Sequence, residues 1–179
     1  MPQLVTPDAR WVASFIDALR EGYRRDPLRP ETAEMIAEVE GDPEGFLHDL
    51  RDPPATLILP DGSIGTRVPS TTLWWVEGDA FLGSVSVRHE LNATLEVLGG
   101  HVGYAVRPSA RGQGHATAIL AAGLDWVRGN LPLERVLLTI NTANLPSIRV
   151  AEKNGGVRTQ TVPHLWNAGE EAAHYWIEP

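Results

Sequence analysis

The chain has 179 residues, a net charge of −8 from 15 Lys and Arg against 23 Asp and Glu, and no cysteine. The missing cysteines exclude disulfides, thiolate metal sites and a cysteine nucleophile, and the acidic balance argues against nucleic-acid binding, which needs a basic face. No basic segment precedes an apolar core near the N-terminus, and no apolar run approaches about 18 residues. One packed domain, cytoplasmic and not bound to a membrane, is therefore expected.

Helices are predicted for the first part of the chain, residues 1–54. Apolar side chains recur at helical spacing over residues 8–24, and Asp8 is placed to cap that helix. A second short helix is expected to begin near Pro30, because proline suits a first helical turn. Residues 42–50 start with Asp-Pro, which predicts a third helix.

Residues 55–179 are predicted to form the sheet core. The expected elements in chain order are a strand over 55–59, a turn at 59–63, strands over 71–76 and 81–88, a loop or helical turn over 89–100, a strand over 101–106, a helix over 114–128, a strand over 135–141, a helix over 144–156, and strands over 156–162 and 173–178. This order predicts an α/β (α+β) layer fold with a mixed sheet and helices against it.

Two strands carry expectations about which side chains share a face. Trp74 and Trp75 are adjacent, so one should face each side of their strand. In the next strand, Phe81, Val85 and Val87 alternate with smaller or polar residues and are expected on one face.

The turn between the strand at 101–106 and the helix at 114 combines Arg111 with Gly112 and Gly114. Glycine at a helix start removes the Cβ atoms that keep ligands away from the backbone. The first helical amides lack internal partners and lie at the positive end of the dipole, so the turn predicts a site for phosphate or pyrophosphate. Packing alone could also explain the glycines, and Arg111 could add charge or brace the loop. The sequence has neither the ATPase phosphate loop nor the dinucleotide fingerprint.

Two segments resemble the cofactor motifs of the GNAT superfamily of acyl-CoA-dependent N-acetyltransferases. RGQGHA at 111–116 matches Q/R-x-x-G-x-G/A, and NTANLPSIRVAEKNGG at 141–156 is similar to the second cofactor segment. The resemblance extends over about residues 70–177, and RHELN with GGHVGY is similar to a poorly characterised bacterial branch. It implies a single acetyltransferase domain with a mostly antiparallel central sheet. It also implies transfer of an acetyl group from acetyl-CoA, the co-substrate, to a primary amine by direct attack on the thioester.

The resemblance assigns the cofactor contacts. The amide of Val106 becomes the candidate donor to the developing oxyanion, where one placed donor is worth about 3 kcal/mol. Matching the two motifs residue by residue gives the other cofactor positions: Arg111, Gly112, Gln113, Gly114, His115 and Ala116 at the pyrophosphate, and Asn144 and Ser147 at the pantetheine arm or the phosphates.

Proton transfer is less well defined by the sequence. His89, Glu90 and His101 lie near strand ends, and histidine titrates near neutral pH, but each could equally be structural. The tyrosine that many family members use as general acid corresponds to Ala151 here. Tyr104 or a water could supply the proton instead, and a thiol with a pKa near ~8.5 leaves a tolerable thiolate at neutral pH.

Alternatives remain at this point. A non-catalytic acyl-CoA-binding or sensing domain would keep the cofactor motif, and the loss of tyrosine at Ala151 favours it. A nucleotide-binding domain of another family would take ATP or NAD. No metal is expected, because His115, His164 and His174 share no metal spacing with a carboxylate pair. The acceptor, a small-molecule or peptide amine, and a homodimer both stay open.

Overall fold

The structure, a computed structural model, describes residues 1–25, 31–59 and 62–179. The strands are β1 Gln3–Val5, β2 Thr56–Ile58, β3 Ile64–Thr66, β4 Ser70–Glu77, β5 Ala80–Arg88, β6 Val102–Val106, β7 Val136–Asn141, β8 Val157–Pro163 and β9 Glu171–Ile177. The α-helices are α1 Val12–Arg20, α2 Ala33–Gly41, α3 Pro43–Arg51, α4 Ala93–Val97, α5 His115–Asn130 and α6 Leu145–Lys153, and short 3-10 helices span Ala9–Trp11 and Pro108–Ala110. The helix start expected at Pro30 and the middle of the turn expected at 59–63 lie outside the described residues.

Side-chain caps fix the starts of the N-terminal helices. The Asp8 carboxylate accepts the Arg10 amide and opens the 3-10 turn that leads into α1, and Asp42 caps α3 by accepting the Gly45 amide. The second helix is capped by Thr32, so α2 begins beyond Pro30. The expected helices are present, although α1 ends four residues before the predicted boundary.

The strands form two main sheets and a separate hairpin. The four-stranded sheet has the order β1-β4-β5-β6, the three-stranded sheet has the order β7-β9-β8, and β2 pairs with β3. Every pairing among the described residues is antiparallel. The expected α/β layer fold with a mostly antiparallel sheet flanked by helices is confirmed, although no parallel ladder is formed among these residues. The segment 1–54 is not purely helical either, because Gln3–Val5 pairs with β4. In the part of the chain that the structure describes, no helix is long and apolar enough to cross a membrane.

The four-stranded sheet separates two hydrophobic cores. Trp74 is buried among α1, α2 and α3, whereas Trp75 is buried beneath α5, so the two faces of β4 were predicted correctly. The face beneath α5 also holds the side chains of β7 and β9, which include Leu138 and Tyr175. This shared core packs the second sheet against the first.

A bulge in β5 changes one predicted face. The register with β4 shifts between Gly83 and Phe81, so Leu82 has no partner residue in β4. An extra residue in one strand reverses the alternation beyond it. Phe81 therefore lies with α1, and the prediction that it shares a face with Val85 and Val87 is wrong.

The two sheets meet where β6 and β7 begin. The His101 amide donates to the Leu137 carbonyl at 2.7 Å, and the Leu137 amide donates to Nδ1 of the His101 ring at 2.9 Å. Just before β6, the Gly99 amide donates to Thr139 Oγ1 at 2.7 Å. Gly100 has a φ of +62°, and a Cβ there would lie 2.4 Å from the Leu137 carbonyl oxygen, so the close approach requires glycine. Beyond this junction β6 and β7 contact each other as neighbouring edge strands without sharing a ladder.

Candidate active site

The loop between β6 and α5 contains a run of unpaired backbone amides. The amides of residues 112–117 make no hydrogen bond within the described residues, and the first bond of α5 runs from the Ala118 amide to the Gly114 carbonyl at 3.2 Å. Gly112 and Gly114 have φ values of +77° and +87°, with no atom within 4 Å of a Cβ built on either. Free amides, open glycines and the positive end of the α5 dipole together make an anion-binding segment.

Two polar side chains of the loop brace it rather than project from it. Arg111 donates from Nε to the Val106 carbonyl at 3.2 Å, which ties the loop to the end of β6. Gln113 donates from Nε2 to the Ser109 carbonyl at 3.2 Å. Arg111 stays exposed, so the bracing leaves it accessible to a ligand.

The first residues of α5 connect the loop to the core. His115 is partly buried, and its Nδ1 lies 3.2 Å from the indole nitrogen of Trp75. Ala116 is also partly buried and follows directly in the first helical turn. The predicted pyrophosphate residues 111–116 therefore form one continuous surface at the head of α5.

The Glu21 carboxylate, at the end of α1, binds Arg107 and Ser109 at the start of this loop, and we call this contact the Glu21 latch. Arg107 donates to Glu21 from Nε at 3.0 Å and from Nη2 at 2.5 Å, and the Ser109 hydroxyl donates to Glu21 at 2.7 Å. Arg107 also donates from Nη1 to Ser14 Oγ at 3.0 Å. Hydrogen bonds from Arg107 and Ser109 lower the pKa of Glu21 from 4.5 to about 2. Short-range sequence patterns do not predict this contact, because Arg107 and Ser109 lie 86 and 88 residues from Glu21 along the chain.

The outer edge of β6 holds a second set of free amides, separated from the first by the bonded amides of residues 109–111. The Arg107 amide donates to the Leu82 carbonyl at 2.9 Å, which makes these two residues a bonded pair of the β5–β6 ladder. Bonded and non-bonded pairs alternate in antiparallel strands, so the amides of Val106 and Tyr104 point away from β5. Neither amide has a partner within the described residues. The edge facing β7 thus offers two donors at the end of the loop.

The second predicted cofactor segment lies beside this edge. Asn144 caps α6, with its Oδ1 accepting the Ser147 amide at 3.2 Å. The Tyr104 hydroxyl donates to the Ser147 carbonyl at 3.3 Å, which brings β6 and the first turn of α6 together. Burial raises the pKa of Tyr104, so its phenol stays protonated at neutral pH. Ala151 is fully buried in the core.

The three predicted bases lie at the opposite end of β6. The β5–β6 register places His101 beside the end of β5, where His89 and Glu90 follow, whereas Arg107 opens the loop at the other end. At about 3.4 Å per residue, His101 and Arg107 are roughly 20 Å apart along the strand. The structure therefore does not bring these candidates to the predicted oxyanion donor at Val106.

Each of these side chains has another environment. His89 Nε2 lies 2.9 Å from Thr71 Oγ1, and its ring packs near Trp126. Glu90 is exposed. His101 is buried between the sheets, where burial, and then the charge of Arg88, lower its pKa. Its ring bond to Leu137 identifies it as part of the junction.

The described residues thus place a loop with free amides at the start of α5 next to an unpaired strand edge. The acetyltransferase (GNAT) domain family matches residues 26–157, and the chain belongs to this family. It is an N-acetyltransferase that transfers an acetyl group from acetyl-CoA to an amine. Across residues 1–25, 31–59 and 62–179, no group of three or more His, Asp or Glu side chains could hold a metal ion.

Solved structures share the fold. RimJ from Mycobacterium smegmatis, in complex with CoA-disulfide, has a TM-score of 0.69 and 19% identity over 99% of this chain and 81% of that one. RimL, a ribosomal L7/L12 alpha-N-protein acetyltransferase in complex with coenzyme A, has a TM-score of 0.62 and 15% identity over 99% and 93%. The spermidine/spermine N-acetyltransferase SpeG from Vibrio cholerae, in complex with manganese ions, has a TM-score of 0.61 and 15% identity over 99% and 92%. No curated protein matches the chain.

The Glu21 latch makes stability depend on pH in a defined window. Because the folded pKa of Glu21, about 2, is below its ordinary value of 4.5, its contribution is present above pH 4.5 and is lost as the pH falls toward 2. We expect Glu21→Gln to lower the free energy of unfolding at pH 7 by at most about 1 kcal/mol, since the pair is partly exposed. The difference from wild type should shrink between pH 4.5 and 2 in denaturant titrations. Asp125→Asn, which removes the exposed ion pair with Arg128, is the control, and a pH-independent difference for Glu21→Gln would contradict the latch.

Proposed function

We propose that the protein holds acetyl-CoA along the loop at 111–117 and the free edge of β6, and acetylates a small-molecule or peptide primary amine there. The observation that carries this proposal is that two sets of backbone amides are unpaired at the two ends of one loop, residues 112–117 at the head of α5 and Val106 with Tyr104 on the edge of β6. A phosphate group and an extended amide-containing arm need donors of these two kinds, in this order. Open space above Gly112 and Gly114 fits close approach of a ligand to the backbone.

The proposed roles combine the family resemblance with the positions of these residues. The amides of 112–117, with Arg111 beside them, would bind the pyrophosphate, and the edge of β6 would bind the arm as a neighbouring strand binds. Asn144 Nδ2 has no hydrogen-bond partner among the described residues while Oδ1 caps α6, so it could donate to the arm from the other side. Acetyl-CoA supplies the activated thioester. In this proposal the Val106 amide would donate to the oxygen on which charge develops.

Tyr104 is the proton donor that the geometry favours among the four catalytic candidates. Its hydroxyl lies at the first turn of α6, next to the amides that would hold the arm, and it stays protonated at neutral pH. This position lets it donate to a departing thiolate. His89, Glu90 and His101 remain candidates for the base only if the amine reaches them near the junction.

A turnover assay identifies the acceptor amine and distinguishes catalysis from the competing functions. The panel contains spermidine, peptides with free N-termini and amino acids, because SpeG and RimL are named for polyamine and protein amines. Release of the coenzyme A thiol in multiple turnovers supports the enzyme. Acetyl-CoA binding without turnover of any amine would favour a sensing domain. Thermal shifts with ATP and NAD test whether the protein is instead a nucleotide-binding domain, since a ligand at about 100 times its Kd adds about 2.7 kcal/mol to the free energy of unfolding. A homodimer and a cytoplasmic location stay predictions.

Gly114→Ala tests the loop, with Gly169→Ala as its control. Both glycines have open surroundings and nearly equal φ values, +87° and +85°, but Gly169 lies in the turn between β8 and β9. An L side chain at this φ costs about 1–2 kcal/mol, so both variants should lose similar stability. Only Gly114→Ala should weaken acetyl-CoA binding in calorimetry, by about tenfold or more, because its strain turns the amides away. Equal affinities in the two variants would remove the loop from the proposed site.

Asn144→Ser separates the capping role from the cofactor role. A serine hydroxyl also caps a helix, so the melting temperature should barely move. The loss of the Nδ2 donor should weaken acetyl-CoA binding by about 1 kcal/mol, the net value of one neutral hydrogen bond. Asn92→Ser is the matched control, because Asn92 caps α4 by the same bond. If the affinity of Asn144→Ser is that of wild type, Asn144 is a cap only.

Tyr104→Phe should lower kcat by about 10²-fold with little change in the KM for acetyl-CoA, because a general acid acts in the transition state. Tyr175→Phe removes a hydroxyl from a buried residue of β9 and serves as the control. Steady-state kinetics with the best amine of the panel measure the effect. An unchanged kcat in Tyr104→Phe would leave proton donation to water. For the base, loss of the acid limb of the pH–rate profile in His101→Asn, His89→Ala or Glu90→Gln would assign that residue.

A further inference from the structure

Trp75 makes a polar contact that burial alone does not require. Its side chain lies under α5 and the residue is 7% exposed. The indole Nε1 reaches 3.2 Å from Nδ1 of His115, which is 40 residues away and is the first residue of α5. A core residue is thus bonded directly to the predicted pyrophosphate segment.

This contact defines the protonation of the His115 ring. An indole N–H can only donate, so Nδ1 of His115 must be the acceptor and carry no proton. In a neutral imidazole the proton then lies on Nε2, which becomes a donor. Trp75 therefore selects the Nε2–H form of His115.

The donor that results is accessible. Nε2 of His115 has no hydrogen-bond partner within the described residues. Every buried side-chain nitrogen or oxygen among the described residues has a hydrogen-bond partner. Since Nε2 has none, it must be exposed to solvent. It does so in the first turn of α5, beside the free amides of 112–117.

We infer that Trp75 is a positioning residue for cofactor binding: through its bond to Nδ1 it holds His115 with an Nε2–H donor directed to a phosphate group of acetyl-CoA. The inference rests on the proposed site at the head of α5. The bond fixes the ring rotation as well as the proton, so the donor is set before the ligand arrives and less ordering is needed on binding. Both the pyrophosphate and the 3′-phosphate present the oxygens that such a donor needs.

Nitrogen-15 NMR of the histidine ring tests the first half of the inference without any ligand. We expect the wild type at about pH 8, above the ordinary titration range of histidine, to show His115 with a protonated Nε2 and an unprotonated Nδ1, assigned by its loss in His115→Asn. In Trp75→Phe the ring should become a mixture of tautomers. A wild-type ring protonated on Nδ1, or an unchanged ring in Trp75→Phe, would overturn the inference even if acetyl-CoA binds.

Calorimetry with coenzyme A tests the second half. Trp75→Phe and His115→Asn should each weaken binding about three- to tenfold, the range of one hydrogen bond, and the double variant should be no weaker than His115→Asn alone. His115→Gln should recover part of the affinity, because its amide carries a donor near the position of Nε2. Trp74→Phe is the matched control, since Trp74 is the neighbouring buried indole on the other face of β4, and its affinity should stay that of wild type.

The outcomes separate this inference from the proposed function. If the wild type fails to bind coenzyme A, the proposed site is wrong, whatever the NMR result. If the wild type binds and Trp75→Phe binds equally well, or Trp74→Phe weakens binding as much, the positioning role is wrong and the site stands. Repeating the titrations with dephospho-coenzyme A identifies the contact: the penalty persists for a pyrophosphate contact and disappears for a 3′-phosphate contact.

Discussion

The two edge strands β6 and β7 lie side by side but do not pair, and the rest of the site depends on this. An edge strand normally leaves its amides to solvent or to another chain. Here the junction at His101 and Leu137 holds the two sheets together at the strand starts, and the core beneath α5 keeps them in contact. The amides of Val106 and Tyr104 therefore lie in a strand that is held in place at its start but have no partner among the described residues. A site made of backbone donors needs that combination, because a mobile donor would have to be ordered by the ligand.

Two separate sets of contacts hold the two ends of β6 in place. At its start, Gly100 allows the chain to pass within contact of the Leu137 carbonyl, and the buried His101 ring takes the amide that a continued ladder would have used. At its end, Glu21 binds Arg107 and Ser109, which sets the direction in which the loop leaves the strand. The donors at Val106 and in the loop are thus held from both sides. The ring of His101 makes a structural contact at this junction, so a role in proton transfer does not follow from its residue type alone.

The local parts of this site could be predicted from the sequence. The glycines of the loop, the cap at Asn144 and the opposite faces of Trp74 and Trp75 depend on neighbouring residues, and short-range spacing determines them. The parts that could not be predicted depend on long-range pairing. The Leu82 bulge reverses one face of β5 without any mark in the sequence. The Glu21 latch joins side chains brought together only by the packing of α1 against the sheet. The strand Gln3–Val5 is short and flanked by proline, so a helical interpretation of the N-terminal part missed it.

Charge balance explains why the site is made of backbone donors. The chain carries a net charge of −8 and its coenzyme is a polyanion, so long-range electrostatics do not favour association. Arg107, the cation at the start of the loop, is already committed to Glu21, and Arg111 is exposed and partly engaged with a carbonyl. For the proposed site, attraction is therefore expected to come from short-range contacts: the free amides, the dipole of α5, the exposed Arg111 and the ring of His115. Hydrogen bonds from the amides discriminate by geometry, because a phosphate gains from them only where its oxygens meet the N–H groups in line.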